Sequence, residues 1–135
     1  MPNSTQAIKT FISGPNCCQA IVQTYAPEHN LDVELASKLG LGFGGGIGLA
    51  KNLCGAVSGM VMALGLKYAD KLEKFEFYDL VRKSLEDFEK EAGSLDCGTL
   101  TNSPYGEKPP PSHKQTCSKY IRMACDIIDN ADISN

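Results

Sequence analysis

Long apolar runs are scarce in this sequence. The most continuous one, Ala56 to Leu66, falls well short of the ~20 residues that a membrane span requires, and Lys51 with Asn52 interrupts any longer version. A buried helix is therefore expected there, and no membrane partner. Met1 to Ser13 has no basic start followed by an apolar core, so no secretory signal is read and the cytoplasm is the expected compartment. Polybasic stretches are absent too. With 13 Lys and Arg against 16 Asp and Glu, the net charge of -3 argues against a nucleic-acid partner, which asks for a basic patch or stripe.

Strand signals are missing: there is no alternating run and no Asn-Gly or Asp-Gly hairpin. The usual chemical signatures are missing as well. No C-x₂-C pair marks a generic zinc or ferredoxin site, and no C-x-x-C-H marks covalent haem attachment. The glycine cluster follows no strand and lacks the Lys-Ser/Thr of a phosphate-binding loop. No Ser-His-Asp or Cys-His pairing suggests a nucleophile with its base, so no catalytic residue is assigned.

What is present is helical periodicity. Gln6 to Ile12 predicts a short first helix. Asn16 with Gln19 forms a capping box at the head of a second, on which Cys18, Ile21, Val22 and Tyr25 share a face. Asp32 caps a third, carrying Val33, Leu35, Ala36 and Leu39 and stopped by Gly40. Phe77, Leu80, Val81, Ser84, Leu85 and Phe88 fall at three- and four-residue steps, with Asp79–Lys83 and Glu86–Lys90 as i,i+4 pairs on the other face and Gly93 as the stop. After three prolines, which favour extended polyproline II, Ser112 with Gln115 makes a second capping box. Cys117, Tyr120, Ile121, Ala124 and Ile128 then stripe a last helix, beyond which the tail after Asn130 is expected to fray. The expected fold is all-α: one domain over 1–135, a bundle of about five helices with short connections.

The chain is organised around Gly40 to Gly65. Glycines at 42, 44, 45, 46 and 48 form an entropically costly loop, and Cys54 heads the small-residue helix that follows. The chain has six cysteines. In a reducing compartment they point to metal or redox chemistry rather than to disulfide staples. Cys17 follows Asn16, Cys54 comes two after Asn52, Cys97 follows Asp96 and Cys117 follows Thr116, although for Cys117 the start at Ser112 competes. Helix starts favour anions and lower a thiol's pKa. Four thiolates with glycine-loop N–H donors describe a soft-metal or iron–sulfur environment, with Gly44, Gly45, Gly46 and Gly48 as the cofactor-facing glycines. His113, four residues before Cys117, could share a metal with it, although an exposed histidine is the plainer reading. Cys18 and Cys125 read as buried small hydrophobes, and Arg82, Tyr105 and Tyr120 form no constellation.

Asn16-Cys17 before Gln19-Ala20, the Gly-Phe-Gly-Gly-Gly-Ile-Gly loop, Cys54-Gly55-Ala56-Val57-Ser58-Gly59, Gly65-Leu66-Lys67-Tyr68, Leu95-Asp96-Cys97 and the late Cys117 together resemble the C_GCAxxG_C_C family of redox-active proteins. The likeness covers nearly the whole chain. It places the family's four signature cysteines on Cys17, Cys54, Cys97 and Cys117, whereas Cys18 and Cys125 depart from the pattern. It implies a small redox or electron-transfer protein of mostly anaerobic bacteria and archaea. A similar domain in split-Soret cytochromes is associated with a two-iron cluster, so those four cysteines are the expected ligands of an iron–sulfur cluster, 2Fe-2S ahead of 4Fe-4S. The expected partner is a redox protein, with a homodimer also open. Two alternatives remain: metal-free thiol–disulfide chemistry through Cys17–Cys18 or Cys17–Cys54, and a structural zinc site in an interaction protein.

Overall fold

Seven α-helices and one 3-10 turn make up the regular structure of residues 1–133, the part that the computed structural model describes. They are α1 (Asn3–Ile12), α2 (Cys17–Tyr25), α3 (Val33–Leu41), α4 (Gly55–Tyr68), α5 (Lys74–Ala92), α6 (Cys97–Thr101) and α7 (His113–Asn130), with the 3-10 turn at Pro27–His29. No strand occurs among the described residues, so the fold is all-α as the sequence predicts. The number of helices differs. Five residues of α6, started by the Asp96 side chain on the Thr99 amide, are too few to show a period in the sequence.

The small-residue helix α4 is central because nearly all of its circumference is buried. Val57, Met60, Ala63 and Leu64 are inaccessible, and so is Ala56. Fully burying side chains of the size of Met60 or Leu64 stabilises by ~1.5–3 kcal/mol each. Helix α2 lies against α4 closely enough that a β-carbon on Gly59 would stand 3.0 Å from the Ile21 β-carbon. On its other sides α4 meets α7 and α5, while α1 packs on α7 and α2. Tyr25 of α2 is buried in this core and donates its hydroxyl to Asp129 of α7 at 2.8 Å, which ties the first half of the chain to the last helix.

Helix α3 rests on α2 by its small residues only. Ala36 and Gly40 are buried, whereas the expected apolar face of Val33, Leu35 and Leu39 is exposed. Three further local expectations are corrected. The Ser112–Gln115 capping box does not form: Ser112 has helical backbone angles, and its side chain caps nothing. On α5 the acidic and basic side chains pair as Asp79–Arg82 and Lys83–Asp87 rather than as Asp79–Lys83 and Glu86–Lys90. These pairs are solvent-exposed alternatives of nearly equal energy, so spacing alone does not choose between them. Beyond Asn130, Ala131 and Ile133 pack against the core; residues 134 and 135 of the expected frayed tail lie outside the described residues. No helix among the described residues is long and apolar enough to cross a membrane.

Candidate functional site

Cys17, Cys54, Cys97 and Cys117 come from four different helices or helix starts and line one cavity of about 360 Å³. Each is delivered by its own local device. Cys17 is the first residue of α2, whose capping box is complete: Asn16 accepts the Gln19 amide at 2.8 Å, and Gln19 accepts the Asn16 amide at 2.9 Å. The same Asn16 donates its side-chain amide to the Gly40 and Leu41 carbonyls, pinning the end of α3 beside the site. Cys54 is the N-cap of α4, and Cys97 is the first residue of α6. Cys117 is placed differently. It sits in the second turn of α7, not at a helix start.

Cys54 and Cys97 are held next to one another by a single antiparallel bridge between Leu53 and Asp96. Its backbone bonds are short: the Cys54 amide donates to Leu95 at 2.8 Å and the Cys97 amide to Asn52 at 2.6 Å. Two segments that read as loops are thus spliced at the point where two thiols must meet. The glycine loop closes the same corner. From Gly45 to Gly48 every residue is left-handed, Ile47 included, and Leu49 and Lys51 follow. Amides of Gly48, Leu49, Lys51 and Asn52 donate back to carbonyls of residues 42 to 46. Those donors are spent within the loop. Of the four glycines expected to face a cofactor, Gly45 lines the cavity, while Gly44 and Gly46 provide clearance. A β-carbon on Gly46 would lie 2.7 Å from that of Cys97, and one on Gly44 would lie 2.8 Å from the Asn16 amide nitrogen. Gly48 meets nothing and serves the turn alone.

The expectation that helix starts lower all four thiol pKa values is overturned, because burial dominates. Cys54 is pushed up to about 12 by burial, against the pull of the Ala56 and Val57 amides at the head of α4. Burial also raises Cys97, although the Thr101 hydroxyl and the Lys51 ammonium draw it down. Cys17 is raised well above its ordinary value because its thiol is hydrogen-bonded to Cys117, with burial adding to the effect. Only Cys117 is lowered, by that hydrogen bond first and by Lys51 as well. Cys17, Cys54 and Cys97 also feel the charge of other thiols across the cavity. Three of the four thiols thus hold their protons more tightly than a free cysteine does.

Two residues on the wall, Lys51 and Tyr120, carry no site signal in the sequence. Lys51, read as half of a polar interruption, is only 6 % exposed and sits among the cysteines. A lysine just after a glycine cluster, within three residues of Cys54, is the one clue the sequence holds. Tyr120 also lines the cavity, its hydroxyl donating to the Leu100 carbonyl at 3.3 Å. His113 lies on the wall and is half-buried. Among the described residues, no three histidine, cysteine or carboxylate side chains are grouped so as to hold a single metal ion. Cys18 and Cys125 stand apart. Cys18 is inaccessible in a separate small cluster with Val22, Ala26 and Ala36, its sulfur 3.9 Å from that of Met62, and Cys125 is inaccessible in the main core.

An all-α protein with four thiols converging on one cavity is the class that fold and site define. A family model described as putative redox-active protein (C_GCAxxG_C_C) matches residues 15–131, and the chain belongs to that family. No curated protein matches the chain. No solved structure matches it either.

Proposed function

We propose that the cavity is a one-electron redox centre in which Cys17, Cys54, Cys97 and Cys117 hold an iron–sulfur cluster, of the two-iron kind. The observation that carries this reading is the convergence of those four thiols on one cavity. Its donor set suits a soft metal: the wall bears four sulfurs and no carboxylate. A closed zinc shell needs at least three protein ligands grouped about one ion, and no such group is found among the described residues. A two-iron cluster asks for only two thiolates per iron, so paired thiols such as Cys17 with Cys117 and Cys54 beside Cys97 suit it better. When bound, such a cluster supplies reversible one-electron transfer.

The chain's own part is to gather and discharge the ligands. The thiols of Cys17, Cys54 and Cys97, which resist ionisation singly, give up their protons when iron offsets the repulsion among the sulfurs, so loading releases protons and is favoured as pH rises. Phe11 and the exposed prolines Pro109 to Pro111 line the cavity on its apolar side. An electron then passes to or from a redox partner protein, and the free thiols suit a reducing, cytoplasmic setting. Anaerobic purification should give a brown protein with near-equal iron and acid-labile sulfide, and each single Cys→Ser change among the four should lower the iron content. A colourless wild-type protein that cannot be reconstituted with iron and sulfide would refute the reading.

The Cys17–Cys117 hydrogen bond supports a second reading for the metal-free protein, a thiol–disulfide couple between these two residues. This pair takes the place of Cys17–Cys18, since Cys18 faces a different cluster. Oxidation by a small disulfide reagent should consume two thiols per chain and leave a Cys17–Cys117 cross-link on peptide mapping. An unchanged thiol count rules the couple out.

A further inference from the structure

We infer that Lys51 is the counter-cation of the redox centre: a buried lysine facing the four-thiol cavity, with no carboxylate partner, that is matched by the negative charge the site acquires on loading. This rests on the cluster reading above. Lysine is almost never this buried unless paired, so a side chain held this deep without an ion pair calls for opposite charge in the cavity it lines. The three ion pairs among the described residues, Lys38–Glu34, Arg82–Asp79 and Lys83–Asp87, are all exposed, and none includes Lys51. No hydrogen bond from its ammonium is found among those residues either. Asp96, on the neighbouring segment, directs one carboxylate oxygen to the Thr99 amide and hydroxyl at 3.0 and 3.1 Å, and among the described residues no ion pair joins it to Lys51.

The position of Lys51 is built rather than incidental. Its backbone is left-handed, with φ at 62°, which is strained for a residue with a side chain. Its amide donates to Gly45 at 3.0 Å, and its carbonyl accepts the Gly98 amide at 3.1 Å. The residue is thus clamped between the glycine loop and α6, with its charge acting on Cys97 and Cys117. Lys114, also on the wall, is no substitute, because its ammonium is turned to the Ile12 carbonyl at 2.9 Å.

Four thiolates around a two-iron, two-sulfide core leave the oxidised site negative, and reduction adds one more negative charge. A fixed cation therefore stabilises the loaded site and its reduced form most of all. The empty, protonated site gives that cation little to pair with. These opposite consequences define the test. Lys51→Met and Lys51→Arg are made in the full chain, and each is compared with the wild type in reduced, metal-free form and after anaerobic reconstitution with iron and sulfide.

Metal-free Lys51→Met is expected to melt at or above the wild type. Reconstituted Lys51→Met is expected to lose its cluster several-fold faster. Its one-electron reduction should be about tenfold less favourable, a midpoint lower by about 59 mV. Lys51→Arg should restore most of both losses. The inference is overturned if metal-free Lys51→Met melts clearly below the wild type, which marks Lys51 as part of the fold. It is equally overturned if the wild type loads while Lys51→Met matches it in midpoint and cluster retention. A wild type that takes up no cluster refutes the underlying reading instead, and the counter-cation with it.

Discussion

Cys17 and Cys117, from the second helix and the last, share a hydrogen bond that drives their proton affinities apart: Cys17 is raised well above its ordinary value and Cys117 is lowered. Of the four cavity thiols, Cys117 is thus the one that ionises most readily. In the reduced, metal-free protein Cys117 should thus be the first thiol alkylated by iodoacetamide near neutral pH, since the thiolate is the nucleophile. Cys17→Ala removes the largest cause of that lowering and leaves Lys51, so alkylation of Cys117 should slow several-fold without stopping. Mass mapping of the modified peptides decides it, and a variant that reacts at the wild-type rate would show that the hydrogen bond has no part in activating Cys117.

Glycine 46 offers a sharper test of the loop. A methyl group there would sit 2.6 Å from the Asn52 amide nitrogen and 2.7 Å from the Cys97 β-carbon, on a backbone with φ at 71°. Gly48 has a similar φ of 57° but open space around it. Left-handed strain of ~1–2 kcal/mol applies to both positions, and only Gly46 adds overpacking of ~1–3 kcal/mol. In urea denaturation, Gly46→Ala should cost about 2–5 kcal/mol and Gly48→Ala about 1–2. Equal losses would mean that the loop yields freely and does not set the place of Cys97.

These two glycines also show what sequence can and cannot convey about the site. The capping box at Asn16, the cap at Asp96 and the left-handed stop at Gly93 follow from local chemistry, and each stands in the structure where the residues predict it. Helix α4 is legible for the same reason, as a run of small and apolar residues with no polar face. What local reasoning misses is decided by distant segments. The Leu53–Asp96 bridge splices two stretches with no strand pattern. Lys51 is buried only because α6 and the glycine loop close over it, and the α3 leucines are exposed because α2 is met by Ala36 and Gly40 instead. The helix-start argument for acidic thiols failed on burial, whose extent spacing does not reveal.

Asn16 joins cap and clamp in one side chain. Its oxygen accepts the Gln19 amide at 2.8 Å while its nitrogen donates to Leu41 at 3.0 Å and Gly40 at 3.3 Å. Loss of an N-cap costs ~0.5–2 kcal/mol, and Asn16→Ala should fall at the upper end, about 2 kcal/mol, because α3 is released too. Asn16→Asp keeps the cap but offers no donor to the two carbonyls. Chemical denaturation should therefore find Asn16→Asp less stable than the wild type; full stability would reduce the residue to a simple cap.

The two cysteines outside the cavity set a limit at high pH. Burial pushes Cys18 and Cys125 each up to about 12 from an ordinary value of 9.0. The folded protein thus keeps both thiols neutral over a range in which the unfolded chain ionises them. Folded values above unfolded ones mean that this stability is fully present below pH 9 and is lost as pH climbs from there towards 12. The slope is about 1.4 kcal/mol per pH unit for each thiol. Cys18→Ala removes one of the two, at the expense of its packing against Val22 and Ala36, so the variant should start less stable at pH 8 yet decline less steeply. Denaturant midpoints of the reduced, metal-free protein between pH 8 and 11 measure both slopes. Parallel slopes in wild type and variant would show that Cys18 ionises in the folded state and is less enclosed than its burial indicates.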